Sequence, residues 1–158
     1  MEFIEDINIK EYEDFVKNNE YKSHFMQSYY WGEVMKMKNF IPHYVGLKKD
    51  GSLVATALLL EKKLIGKYCY LYCPRGYVWN YNDFELLESF TNKLKIYAKK
   101  MNALFIKFDP DIKLHDLDLD GKIKEKNNYK LVEKLEKLGY KNKGYNKSNK
   151  EHRISFRI

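Results

Sequence analysis

At 158 residues the chain has room for one domain whose core needs no covalent staples, and its 44% hydrophobic and 16% aromatic content excludes a disordered segment. Lys and Arg total 29 against 22 Asp and Glu, a net charge of +7; this favours polyanionic partners such as tRNA, phosphorylated intermediates or an anionic membrane surface, beside plain solvation. No stretch approaches the ~20 apolar residues of a membrane-spanning helix, and the acidic start MEFIEDINIKEYEDF lacks the apolar segment of a signal peptide, so the expected location is cytoplasmic.

Apolar residues at Ile9, Tyr12, Phe15 and Val16 predict a helix over 8–19. Ser28 is positioned to cap a second helix running through YYWGEVMKMKN. PHYVGLKKDGSLVATALLL reads as two strands joined at Lys49-Asp50-Gly51, where Asp-Gly suits a tight hairpin turn. KYCYLYCPRG is the third strand, and its nearly continuous apolar character predicts burial on both faces. Asp83 starts a helix with Leu87, Phe90, Leu94, Ala98 and Met101 on one side and lysines toward its end, as the helix dipole favours. ALFIKFDP is a fourth strand, a polar irregular stretch runs to about Asn127, YKLVEKLEKLGY is a helix stopped by Gly139, and HRISFRI alternates as a last strand. A hairpin followed by strand–helix–strand predicts an α/β fold with a mixed, largely antiparallel central sheet flanked by helices. The last strand finishes at the final residue, so a larger protein is expected around this chain.

Cys69 and Cys73 share a strand parity, which points both to one face as buried small side chains, too far apart along the strand to bridge easily. Arg75, in Pro74-Arg75-Gly76 at a strand tip, suits bidentate binding of phosphate or carboxylate, and Gly76 permits close backbone approach; the competing reading is an arginine paired with an acid across the turn. Asp109 finishes the next strand, where α/β folds place ligands, either to orient an amine or take a proton, or to make a turn with Pro110. DLDLDGKIKEKN imitates a calcium loop through Asp116, Asp118, Asp120, Gly121 and Ile123, but Asn127 stands where a bidentate glutamate belongs and Lys122 and Lys124 oppose a cation. Tyr29, Tyr30 and Trp31 form an aromatic cluster suited to stacking on a ring or to a core, while Lys36 and Lys38 are candidate anion contacts or a solvated helix end. His24, His43, His115 and His152 show no metal-ligand spacing, and no phosphate-cradling glycine loop occurs.

HFMQSYYWGEV, YVGLKKDGSLVATALLL, YLYCPRGYV and ALFIKFDP follow one another in an order that resembles the amino-terminal half of the Fem family of peptidoglycan interpeptide-bridge aminoacyltransferases, from about His24 to Ile158. The resemblance implies two similar domains of the GCN5-related N-acetyltransferase type, of which this chain is the first. It implies transfer of an amino acid from aminoacyl-tRNA to a lysine-type amine of the peptidoglycan precursor, lipid II or UDP-muramyl-pentapeptide. Neither a metal nor acetyl-CoA is implied as a cofactor, and the substrate cleft lies between the domains. By the same resemblance Asp109 lies near the reacting amine, Arg75-Gly76 matches the family's Arg-Gly, and a lysine soon after Trp31, for which Lys36 stands one place from the aligned position, helps hold the precursor's diphosphate. The sequence departs from the pattern at Tyr77, where a proline is usual, at Asn80, where an acid is common, and at Met35, where ungapped alignment puts the diphosphate lysine. Contact with the inner membrane surface follows from a lipid-linked acceptor. Two other readings stay open: a free-standing acetyl-CoA-dependent N-acetyltransferase, and a non-catalytic module that binds the precursor or tRNA.

Overall fold

A computed structural model describes residues 1–21, 23–126, 128–145 and 154–158; Asn127 and His152 lie outside them. The elements run β1 (Glu2–Ile4), α1 (Ile9–Asn18), a 3-10 turn (Phe25–Gln27), α2 (Tyr29–Lys36), β2 (Ile41–Lys49), β3 (Ser52–Lys63), β4 (Cys69–Cys73), α3 (Phe84–Lys100), β5 (Ala103–Phe108), β6 (His115–Leu117), β7 (Ile123–Lys126), α4 (Tyr129–Lys137), β8 (Lys141–Tyr145) and β9 (Ile154–Arg157). The helices begin where the caps are: Asn8 Oδ1 accepts from the Lys10 and Glu11 amides, Ser28 Oγ from that of Trp31, and Asp83 Oδ1 from that of Leu86. Gly139, at φ +91°, follows the end of α4 as the sequence suggests.

Among the described residues seven strands form one sheet in the order β1-β2-β3-β4-β5-β9-β8, antiparallel except where β4 meets β5. The mixed, largely antiparallel sheet expected from the sequence is thus observed. Asp50 and Gly51 take φ of +51° and +81°, the left-handed pair that lets a two-residue turn follow the twist of its strands. One core lies between the sheet and α3 with α4, and includes Leu59, Leu71, Trp79, Phe90, Leu94 and Phe108. The other lies beneath α1 and α2 and includes Tyr12, Tyr44, Leu58 and Leu60. Fully burying a leucine or phenylalanine of this kind is worth about 1.5–3 kcal/mol, so both faces of the central strands contribute.

The structure differs from the sequence expectation in three places. The strand buried on both faces is β3, whereas β4 alternates, with Cys69, Leu71 and Cys73 buried toward α3 and Tyr70 and Tyr72 only half-buried on the other face. Helices α1 and α2 cover β2 and β3 but leave that side of β4 and β5 partly open. The stretch expected to be irregular contains the β6–β7 ribbon: Asp118 Oδ1 accepts from the amides of Asp120 and Lys122, so the calcium-like sequence closes a hairpin turn. β1 and β8 are additional edge strands.

Candidate functional site

The site is built where β4 and β5 end side by side, with Cys73 opposite Phe108 in parallel register. Beyond Cys73 the chain turns through Pro74, then Arg75 at φ +63° and Gly76 at φ +82°. Left-handed backbone at a non-glycine residue costs on the order of 1 kcal/mol and persists only where its surroundings hold it. They do so here. The Arg75 amide donates to Asp109 Oδ1 at 3.2 Å, and its carbonyl accepts from the Asp111 amide at 3.2 Å. A Cβ on Gly76 would lie 2.9 Å from Pro110 Cα and 2.5 Å from Tyr81 Oη, so only glycine lets the two strand ends approach this closely.

Asp109 is 7% exposed and held at both oxygens, with Tyr72 Oη donating to Oδ2 at 3.2 Å. Burial raises its pKa above the ordinary value, and the donors from Tyr72 and Arg75, with Lys107 and the Arg75 charge further away, offset this only in part. Tyr72 and Cys73 are themselves pushed up, first by burial and then by the neighbouring carboxylate. A strip of half-buried residues leads from Asp109 along the open face: Tyr72 under the Lys107 ammonium at 5.5 Å, then Tyr70 stacked on Phe105 at 5.4 Å, with the Arg157 guanidinium over Phe105 at 4.6 Å. A partly open floor of aromatic rings and cations beside a basic carboxylate suits an acceptor that carries both an amine and anionic groups.

Arg75 and Asp109 are thus brought together, but through the arginine's backbone. The guanidinium is turned to Asp111, Nη1 to Oδ1 3.9 Å, and the side chain is only 10% exposed. The pairing across its own turn, which the sequence offered as the competing reading, is present at the long end of ion-pair distance. Trp31, the third residue of α2, packs partly into the core and meets Phe25 edge-on at 5.5 Å. Lys36 and Lys38 lie away from Asp109. Lys36 pairs with Glu33, and the Lys38 carbonyl accepts from Lys62 at the far end of β3, where β4 begins.

Gln27 is a site-forming residue that the sequence reading passed over. It is 1% exposed; its Nε2 donates to the Pro74 carbonyl at 2.6 Å and its Oε1 accepts from the Leu58 amide at 2.8 Å. The β3–β4 ladder runs only from Leu60↔Tyr72 to Lys63↔Cys69, so Gln27 bridges the gap where β4 parts from β3 and anchors the turn that carries Arg75. Its neighbour Ser28 signals a helix start, but nothing in FMQS marks the glutamine as buried. At the other end of the sheet, buried Glu61 accepts from His43 Nε2 and Lys63, and the second ring nitrogen of His43 meets Tyr97 Oη at 3.1 Å. Among the described residues no cluster of three or more His, Cys, Asp or Glu is placed to hold a metal ion, and no helix is long and apolar enough to cross a membrane.

Comparison with known proteins agrees with this fold. The chain is similar to aminoacyltransferase FemA of Staphylococcus epidermidis, at 34% identity over 143 residues, 89% of this chain and 34% of that protein. FemA of Staphylococcus aureus gives 32% identity with the same coverage. The chain therefore spans about a third of the length of these relatives. The crystal structure of FemX superposes with a TM-score of 0.74 and 28% identity over 92% of this chain and 33% of that one. An N-acetyltransferase from Staphylococcus aureus Mu50, at 16% identity over 99% of this chain and 94% of its own, shares the fold with a TM-score of 0.58. The acetyltransferase-like sheet expected from the sequence is present, and the FemAB family model matches residues 7–158; the chain belongs to the FemAB family.

Proposed function

We propose that this chain is the amino-terminal, acceptor-binding domain of an aminoacyltransferase that extends the stem peptide of a peptidoglycan precursor with an amino acid taken from aminoacyl-tRNA. The observation that carries the proposal is Asp109, buried yet held by a hydroxyl and an amide at the end of β5, in a chain of the FemAB family. The donor ester is already activated, so the main tasks are to bring amine and ester together and to take up a proton. The acceptor amine attacks the ester carbonyl, an amide bond forms, and the bond to the ribose oxygen breaks, that oxygen leaving as a hydroxyl with the proton the amine gives up. Asp109 orients the amine and draws its proton, for which a carboxylate of raised pKa is better suited than an ordinary one. Tyr72 and the Arg75 amide fix its direction. Facing strand ends, rather than a cofactor, supply this arrangement, and a second domain of the longer protein supplies the donor side.

An acetyl-CoA-dependent reaction fits less well. In the segment between β4 and α3, Tyr77, Val78 and Trp79 are buried, and Val78 exchanges both backbone hydrogen bonds with Thr56. The α3 N-terminus is capped by the Asp83 carboxylate with Glu85 in its first turn, which disfavours a pyrophosphate there. Calorimetric titration of the purified chain with UDP-muramyl-pentapeptide and with acetyl-CoA tests the choice. The expected result is binding of the precursor, weakened by Asp109→Asn, and none of acetyl-CoA; tight acetyl-CoA binding without precursor binding overturns the proposal.

A further inference from the structure

Away from Asp109, the end of the sheet where β4 begins carries a surface for which the transfer chemistry has no use. The β3–β4 connection is Leu64-Ile65-Gly66-Lys67-Tyr68, closed by the Leu64 amide donating to the Tyr68 carbonyl at 2.9 Å. Ile65 is 90% exposed at its tip, and Leu64 and Tyr68 are exposed beside it. The turn after α2 lies alongside and exposes Met37, at 79%, and Ile41. The two turns are fastened together. Lys62 Nζ donates to the carbonyls of Lys38 at 2.8 Å and Asn39 at 3.3 Å, passes over the Phe40 ring at 4.7 Å, and Ile41 pairs in register with Glu61. Exposed Lys36, Lys38, Lys63 and Lys67 surround the apolar group, and neither 36–41 nor 62–68 contains an acidic residue. The flanking carboxylates, Glu33 and Glu61, are in ion pairs with Lys36 and Lys63.

We propose that this tip docks on the surface of an anionic lipid bilayer, with Ile65, Leu64 and Met37 entering the headgroup–acyl boundary and the lysines meeting anionic headgroups. Protruding aliphatic side chains ringed by lysines are what an interfacial anchor requires. RNA is a poorer occupant, because only Tyr68 among the five apolar side chains can stack on a base. The five residues of β4 run from the tip to the Asp109 turn, about 16 Å at ~3.3 Å per residue. That is also the reach of an extended peptide of about five residues. Docking at the tip therefore holds Asp109 at stem-peptide height above the membrane; this use of the surface rests on the acceptor proposed above, while the docking itself does not.

Sedimentation of the purified chain with vesicles tests the proposal, comparing phosphatidylcholine alone with equal parts of phosphatidylcholine and phosphatidylglycerol. The expected result is low-salt binding to the anionic vesicles only. Ile65→Asp combined with Lys67→Glu lowers that binding by about ten-fold or more, whereas Lys124→Glu on the β6–β7 ribbon changes it by about two-fold at most. These side chains are exposed, so circular dichroism should be unchanged, and Lys67→Glu alone replaces the double variant if it is not. No binding to the anionic vesicles, full binding by the tip variant, or equal loss in the Lys124→Glu variant overturns the proposal. So does a tip variant that loses tRNA affinity while keeping its vesicle binding. Titration with the soluble UDP-linked precursor is expected to be the same in all variants, so failure of docking and failure of the acceptor reading are told apart.

Discussion

Glu61 and Asp109 are both buried in the same sheet, on opposite faces and toward opposite ends of its strands. Burial alone would push both pKa values up. At Glu61 the hydrogen bonds from Lys63 and His43 outweigh that effect and hold the carboxyl below its ordinary 4.5. At Asp109 a tyrosine hydroxyl and one backbone amide do not, and the carboxyl stays above its ordinary 3.8. Unequal compensation at two buried carboxylates separates one that serves the scaffold from one kept at an electrostatic cost. The second kind is where function is expected. The two act on stability with opposite sign. Glu61 contributes stability that is present above pH 4.5 and lost as pH falls through its lowered pKa, whereas Asp109 loses stability as pH rises from about 3.8 through its raised one.

The largest effect expected is that of Asp109→Asn. Removing the charge while keeping the shape should cost about a thousand-fold in single-turnover transfer from aminoacyl-tRNA, measured in the longer protein. Urea unfolding of the chain at neutral pH should show stability unchanged or increased, because the penalty of a buried charge is removed. Transfer that survives the substitution would place Asp109 with Glu61 as a scaffold residue.

Next in size is Gly76→Ala, which asks whether the two strand ends must be this close. The new methyl group meets Pro110 Cα at 2.9 Å in a backbone region unfavourable to alanine. A loss of about 3 kcal/mol is expected, lowering Tm by roughly 6–10 °C. Transfer should fall as well, because Pro110 follows Asp109 directly. A change within experimental error would show that the turn yields at little cost.

Glu61→Gln probes the other side of the comparison. The amide keeps one acceptor oxygen where the carboxylate offered two, and loses the charge, so a cost of about 1–2 kcal/mol at neutral pH is expected. The loss should shrink as pH falls through the lowered pKa of the native carboxyl. Transfer and precursor binding should be unaffected. Unfolding measured across pH gives opposite changes for the two variants: the gain in stability between acid and neutral pH is reduced in Glu61→Gln and enlarged in Asp109→Asn.

The elements of this comparison were unequally legible in the sequence. Asp109 and Arg75-Gly76 stand at strand tips marked by proline and glycine, and those signals are local. Three of the helix starts rest on caps that the chain spells out at Asn8, Ser28 and Asp83. The Glu61–His43 pair joins residues 18 apart across a hairpin, and Gln27 reaches Pro74, 47 residues away. No window of periodicity reports such contacts. β1 and β8 were missed because short edge strands such as Glu-Phe-Ile and Lys-Asn-Lys-Gly-Tyr carry no alternation; their place comes from pairing with β2 and β9. The direction of the Arg75 guanidinium was equally out of reach, since Asp111 is its partner only after the turn has formed.

The smallest effect distinguishes a held carboxylate from a merely buried one. Tyr72→Phe removes the hydroxyl that donates to Asp109 Oδ2 at 3.2 Å and leaves the ring, with Lys107 over it, in place. That hydroxyl holds the carboxyl down against burial, so its loss moves the Asp109 pKa further up. The acid limb of the pH–rate profile should then shift to higher pH by less than about one unit, and stability at neutral pH should fall by about 0.5–1 kcal/mol. A purely structural hydroxyl would lower stability without moving the profile. A hydroxyl that positions the reacting carboxylate moves both, and Tyr72→Phe in the Asp109→Asn background should then leave the profile where Asp109→Asn alone puts it.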